Sequence, residues 1–387
     1  MMMPTQSAGA GRFADFDLSR VPSPCFVIDE VSLEENLDIL RSLGTVANAN
    51  ILLALKAFSM WELAPLISAH LDGCCASGLW EAKLAHDRFG GHVSTYAPAF
   101  KPSEIDEIAR LSSHVIVNTR QQADRFGEQI AGGNAELGLR VNPMHSEGQV
   151  AKYDPCAPGS RLGTPLHQLE NKLPDMVRGL HIHTLCEQGF APLARTVDTL
   201  HPFLEAVAPQ LRWLNLGGGH LVTRHDYERE ALGELINALT HKYGVRVYLE
   251  LGTAVAFDAG ILVGEVLDVM DNEGPVAVLD VSATCHMPDV LEAPYRPALR
   301  DECAGGEAVR LGGPSCLAGD VIGTYGFDML PQAGDRLAFL DQAHYSMVKT
   351  TSFNGVPLPA LAIWNSDTDA LRVVREFDYA DFEGRLS

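Results

Sequence analysis

The stretch Ile51-Leu52-Leu53-Ala54-Leu55-Lys56-Ala57-Phe58 is an apolar run with a single lysine near its end. Five consecutive apolar residues predict a strand buried on both faces, as in parallel sheets whose two sides are covered by helices. A lysine at the C-terminal end of such a strand either carries its ammonium out to water or is put to use.

Outward from this run, strand-like and helical patterns alternate. Candidate strands lie at 51–55, 74–77, 92–96, 114–117, 137–141, 177–183, 213–216 and 246–251, with helical patterns at 61–70, 78–89, 103–111, 121–130, 192–207 and 227–243. Eight β-α units over about 200 residues fit an α/β chain with a closed (β/α)8 barrel of TIM type better than an open doubly wound sheet. Beyond residue 258 the rhythm changes. Strand-like pieces at 263–268, 276–280, 308–311, 336–340, 361–364 and 371–375 are separated by Gly and Pro turns, without a long helix. The expected organisation is a barrel over 31–258 and an all-β C-terminal domain over 259–387, joined by an N-terminal strand within 21–30. Residues 1–20, rich in Gly, Ala and Ser, are expected to form a flexible tail.

The 387 residues are 46% apolar, which excludes a disordered chain. A net charge of −21 repels nucleic acid and anionic membrane and favours cationic partners. There is no apolar run long enough to span a bilayer and no cationic and apolar leader, so neither membrane insertion nor export is predicted. Eight cysteines without C-x-x-C spacing suggest neither a zinc site nor a disulfide scaffold, and imply reduced thiols in a cytoplasm.

In a β/α barrel the C-terminal ends of the strands and the loops after them face the active site. Those positions hold Lys56, His183, the triplet Gly217-Gly218-Gly219 followed by His220, and Glu250. Taken singly they have ordinary readings: a lysine that surfaces, a core histidine satisfied by backbone, a flexible turn. Together, a lysine able to form a Schiff base, a glycine cradle for a phosphate and a carboxylate in the same pocket suggest pyridoxal 5′-phosphate, whose ring acts as an electron sink. Glu250 would face the pyridine nitrogen and His183 would stack on the ring. His181, read as pointing to the opposite face of the same strand, competes for that second role.

The segments ALKAF (54–58), HIHTLCE (181–187), LGGGH (216–220), ELGTA (250–254), GGPSCLAGD (312–320) and HYSMVKTTSFNG (344–355) resemble the alanine-racemase-fold, pyridoxal-phosphate-dependent decarboxylases, the group of the ornithine, arginine and diaminopimelate enzymes. Within it, CHMPDVLEAPYRP (285–297) and the last two of those segments are most similar to the carboxynorspermidine/carboxyspermidine decarboxylases. The resemblance implies Lys56 as the Schiff-base lysine, His183 as the ring-stacking histidine, Glu250 as the pyridinium partner, Gly217 to Gly219 as the phosphate loop and Tyr345 as a phosphate ligand. It implies Cys316 as a catalytic cysteine reaching the other subunit's site, hence a homodimer with shared active sites. Arg296 matches an arginine that meets a substrate carboxylate, while Asp289, Glu292 and Asp320 are candidate acids for a cationic tail. Two departures stand out. Thr253 replaces an arginine or glutamate of the E-P-G-R or E-P-G-E segment, and Leu185-Cys186 replace Gly-Ser of the H-x-H-x-G-S segment.

The implied activity is decarboxylation of carboxynorspermidine or carboxyspermidine in polyamine biosynthesis. The alternatives are decarboxylation of meso-diaminopimelate, ornithine, lysine or arginine, racemisation, or binding of the cofactor without catalysis. Glu250 argues against racemisation, because racemases of this fold place an arginine against the pyridine nitrogen. A second domain of more than a hundred residues argues against a bare cofactor carrier.

Overall fold

In the computed structural model, which describes residues 7–133, 135–148 and 150–387, the chain divides into two compact units. One is Asn36–Val255; the other joins the chain up to Glu35 to Ala256–Ser387. The first strand, β1 (Cys25–Asp29), belongs to the second of these, and the helix Glu30–Ala47 runs across the division.

Asn36–Val255 is built on β2 (Asn50–Ala54), β3 (Gly73–Ala76), β4 (His92–Tyr96), β5 (His114–Val117), β6 (Glu136–Asn142), β7 (Thr164–Pro165), β8 (Gly179–His181), β9 (Trp213–Asn215) and β10 (Arg246–Leu251). All these pairings are parallel. The order β5-β4-β3-β2-β10-β9-β8-β6 closes on itself through β5 and β6, so the eight expected strands make one barrel, and the two-residue β7 pairs only with β6. Outer helices pack by their apolar face. In Phe190–Val207, for example, Leu193, Val197, Leu200, Leu204 and Val207 recur at helical spacing and are buried. Between β6 and β8, where no helical pattern was read, the described residues form only single 3-10 turns at Ala151–Tyr153 and Leu166–Gln168, apart from β7.

The N-terminal end of the barrel is filled by Leu52, Ile116, Trp213 and Tyr248, with His92 and His114 beside them. The Trp213 indole needs space from the neighbouring strands. A Cβ on Gly179 would lie 1.9 Å from Trp213 and one on Gly138 would lie 2.3 Å from it, so glycine at both positions is what admits the ring.

The other unit is a sheet of β11 (Gly260–Asp271), β12 (Pro275–Leu279), β13 (Glu307–Gly312), β14 (Val321–Phe327), β15 (Arg336–Leu340), β16 (Ala360–Asn365) and β17 (Ala370–Arg375), with β1 inserted. The order is β14-β13-β12-β11-β1-β16-β17, and β15 also pairs with β11. Thus β1 is interior, antiparallel to β11 and parallel to β16. Strand β14 was not expected, because Gly323 and Gly326 interrupt its apolar alternation. The flexible tail needs correcting. Residues 1–6 lie outside the described residues, but from Gly11 to Arg20 the chain forms two 3-10 turns and buries Phe13, Phe16 and Leu18. Both phenyl rings pack against Trp364 of β16, at centroid distances of 5.3 and 4.8 Å. Three buried apolar side chains therefore outweigh the Gly/Ala/Ser composition around them.

Candidate active site

At the C-terminal end of the barrel, Glu250 is buried near the end of β10. One carboxylate oxygen accepts from His181 Nε2 at 3.0 Å and the other from Asn215 Nδ2 at 2.7 Å, with Ser94 Oγ at 3.5 Å. Burial alone would push this carboxyl up. The His181 contact, the Lys56 charge and the Asn215 hydrogen bond outweigh burial and bring it down to about 2, so Glu250 is ionised. His181 is held below its ordinary pKa by burial, against the pull of Glu250, so its neutral ring donates through Nε2–H.

His183 lies two residues beyond His181, and positions two apart on an extended chain share a face. The structure corrects the expectation of opposite faces: the two rings are parallel within 8°, with centroids 6.4 Å apart. His181 instead packs on Tyr96 and serves Glu250. His183 is half-buried, its Nδ1 accepts from Gly218 N–H at 2.9 Å, and burial followed by the Lys56 charge holds its pKa well below the ordinary value. Its ring is thus neutral and fixed in orientation.

The glycine triplet is tied into the same network. Gly217 N–H donates to Asn215 Oδ1 at 2.8 Å, so one asparagine bridges the carboxylate and the loop. A Cβ on Gly218 would lie 1.9 Å from the Glu250 carbonyl oxygen, and Gly219 sits at φ +83°, 2.2 Å from the Leu185 carbonyl by the same measure. Only glycines allow the loop to approach these backbones. Lys56, just past β2, is exposed. The ionised acid, the neutral flat histidine, the lysine and the closely packed glycine loop are a charge and donor set that fits pyridoxal phosphate. Thr253 is buried and its Oγ1 donates to Glu187 at 3.4 Å, and Cys186 is exposed; these are the two departure positions.

Sequence reasoning missed Asn215, Ser94 and Arg140. Arg140, 5% exposed, places its guanidinium 4.6 Å over the Tyr96 ring and donates to the His183 carbonyl at 3.1 Å. The usable signal was pleat parity: Asn215 pairs in register with His181 and with Tyr248, and so lies next to Glu250.

The remaining candidates lie in the sheet unit. Lys349 Nζ bridges Asp289 at 2.5 Å and Glu292 at 3.2 Å, so these two acids are already neutralised in part. Arg296 is paired with both carboxylate oxygens of Glu302, at 2.9 and 3.0 Å, and lies over the Tyr325 ring. Asp320, expected to meet substrate, is 4% exposed and accepts from Ser282, Thr284 and Ser315. Cys316 is exposed, on the loop before Asp320, and its N–H donates to Asn354 Oδ1 at 2.9 Å. Tyr345 is half-buried in a turn at φ +49°.

A family model described as pyridoxal-dependent decarboxylase, C-terminal sheet domain, matches residues 25–343. The chain is 41% identical to carboxyaminopropylagmatine decarboxylase of Synechocystis sp., covering 95% of this chain and 96% of that one. It is 38% identical to carboxynorspermidine/carboxyspermidine decarboxylase of Campylobacter jejuni, covering 95% and 99%. The crystal structure of carboxynorspermidine decarboxylase from Campylobacter jejuni, complexed with norspermidine, superposes with a TM-score of 0.87 at 37% identity, over 94% of this chain and all of that one. The chain belongs to the pyridoxal-dependent decarboxylases, with pyridoxal phosphate as its cofactor, and is a carboxy-lyase.

Proposed function

We propose that this enzyme decarboxylates carboxynorspermidine or carboxyspermidine, releasing norspermidine or spermidine. The ionised Glu250, fixed between His181 and Asn215, carries the decarboxylase part of the reading, and the 38% identity to the Campylobacter jejuni enzyme supports the substrate. Pyridoxal phosphate, when bound, supplies the electron sink that lets the bond from Cα to the carboxyl group break. Lys56 would be the residue that holds the cofactor covalently until the substrate amine takes its place. The Glu250 carboxylate would keep a proton on the pyridine nitrogen and the neutral His183 ring would cover one face of the cofactor; with the Gly217 and Gly218 N–H groups turned to Asn215 and His183, the Gly219 N–H and the Tyr345 hydroxyl would be the donors for its phosphate. The Cys316 thiol gives a proton to Cα.

For the substrate, Asp289 and Glu292 offer acids to a cationic tail. Arg296 gives Nη1 alone to both carboxylate oxygens of Glu302, so that cation is already partly matched, which supports a tail without a distal carboxylate. We further propose a homodimer in which Cys316 serves the partner copy's site, and a cytoplasmic location, which suits eight free thiols; no helix among the described residues is long and apolar enough to cross a membrane.

The test compares initial CO₂ release under one set of conditions. Carboxynorspermidine or carboxyspermidine should show kcat/KM at least ~10²-fold above meso-diaminopimelate, ornithine, lysine and arginine, a gap of about 2.7 kcal/mol in transition-state binding. Faster release from diaminopimelate would overturn it. The 41% identity to the Synechocystis enzyme favours a second reading, a tail ending in guanidinium, so carboxyaminopropylagmatine belongs in the same comparison.

A further inference from the structure

Asp320 was expected to bind substrate, yet both its carboxylate oxygens are engaged within the protein. Oδ2 accepts from Ser282 Oγ at 2.8 Å, from Ser315 Oγ at 2.6 Å and from Ser315 N–H at 3.3 Å, and Oδ1 accepts from Thr284 N–H at 3.1 Å. The packing leaves no slack, since a Cβ on Gly313 would lie 2.4 Å from Oδ2. A carboxylate 4% exposed with four donors has its desolvation compensated and little left to offer an ammonium.

The donors sit at informative places. Ser315 immediately precedes Cys316, and its hydroxyl, while donating to Asp320, accepts from Leu317 N–H at 3.4 Å, on the other side of the cysteine. The backbone of the loop closes through Gly313 N–H to the Asp320 carbonyl and Asp320 N–H to the Leu317 carbonyl, both 2.9 Å. Ser282 Oγ, the second hydroxyl on Asp320, accepts from Cys285 N–H and caps the short helix Ala283–His286, which leads on to Asp289. Cys316 N–H itself is held by Asn354, whose backbone is left-handed at φ +59°. The two motifs GGPSCLAGD and HYSMVKTTSFNG thus meet at the cysteine's own amide, while its side chain stays exposed.

We propose that Asp320 is the positioning residue for Cys316: its carboxylate locks the 313–320 loop onto the 282–284 turn and so fixes where the thiol stands. Its importance for turnover rests on the proposed role of Cys316 as proton donor; its effect on the loop does not.

The test uses the holoenzyme and three variants, Asp320→Asn, Asp320→Ala and Ser315→Ala, the last leaving the acid in place. In each, kcat should fall at least ~10-fold while KM for carboxynorspermidine stays within ~3-fold. Without substrate, the rate of maleimide alkylation at Cys316, followed by peptide mapping, should change at least ~3-fold, while alkylation of the exposed Cys186 stays the same. A substrate ligand would give the reverse: a large rise in KM for Asp320→Asn, with Ser315→Ala and Cys316 alkylation unaltered. That result overturns the proposal, as does unchanged Cys316 alkylation in all three variants. If Cys316→Ala keeps full activity while Cys316 alkylation still responds to Asp320, the proton-donor reading fails and the positioning of the loop stands.

Discussion

His181 Nε2–H donates to the Glu250 carboxylate at 3.0 Å, and this contact, with Asn215 on the other oxygen, keeps the acid ionised although it is buried. A buried carboxyl without such donors would take up a proton. The charge of this carboxylate is therefore set by the protein's own side chains.

Glu250→Gln keeps the shape of the side chain and removes its charge. Cofactor content should stay near that of the parent, while kcat falls ~10²-fold or more, the scale for one preorganised electrostatic contact. An unchanged kcat would remove Glu250 from the mechanism.

His181→Phe preserves the packing against Tyr96 but withdraws the donor. The Glu250 carboxyl, now governed more by burial, should rise from about 2. A group that must be ionised then becomes protonated as pH falls, so the acidic limb of kcat/KM should move to higher pH in the variant. Superimposable pH profiles would show that His181 does not tune the acid.

Lys56→Ala should lose the covalent pyridoxyl label that borohydride fixes on the parent enzyme and that peptide mapping places on residue 56. A label surviving in the variant would point to another lysine, Lys349 being the next candidate. Mixing inactive Lys56→Ala with inactive Cys316→Ala should restore activity, because a mixed dimer holds one intact site. No recovery, with subunit exchange demonstrated, would mean that Cys316 does not act across subunits.

At the opposite end of the barrel His92 is half-buried beside His114 and Tyr248, and the loss of solvent lowers its pKa to about 4, against the pull of Asp72, Glu250 and Glu136. The unfolded chain takes up a proton there below about 6.5 and the folded one only near 4, so stability is lost as pH falls through that window. The full loss is on the order of 3 kcal/mol. His92→Phe should move the midpoint of acid unfolding to lower pH, read by circular dichroism; an unmoved midpoint would refute the assignment.

Strand order and the catalytic face of the barrel were legible because a buried parallel strand writes itself as an uninterrupted apolar run, as at 51–55, and because glycine triplets and strand-end charges sit at fixed places on that frame. Sequence showed which side chains carry charge but not what already neutralises them. Glu302 for Arg296, Lys349 for Asp289, and two serines with two backbone amides for Asp320 are partners that only the folded chain brings together. Asn215 carried no motif of its own, and its role depends on the register between β8, β9 and β10.

Strand β1 has a further consequence for how the molecule comes into being. It is made before every other strand of its sheet, yet Val27 pairs with Ile261 on one side and Ala362 on the other. On a growing chain, Asn36–Val255 can be complete while β1 still lacks both neighbours, so β1 waits for strands made long after it. Contacts this distant along the chain slow closure and leave an unpaired apolar edge exposed meanwhile. Deleting residues 25–29 would therefore take out the middle of the sheet, not trim its end, and a chain stopped before β16 would keep β1 open along one side.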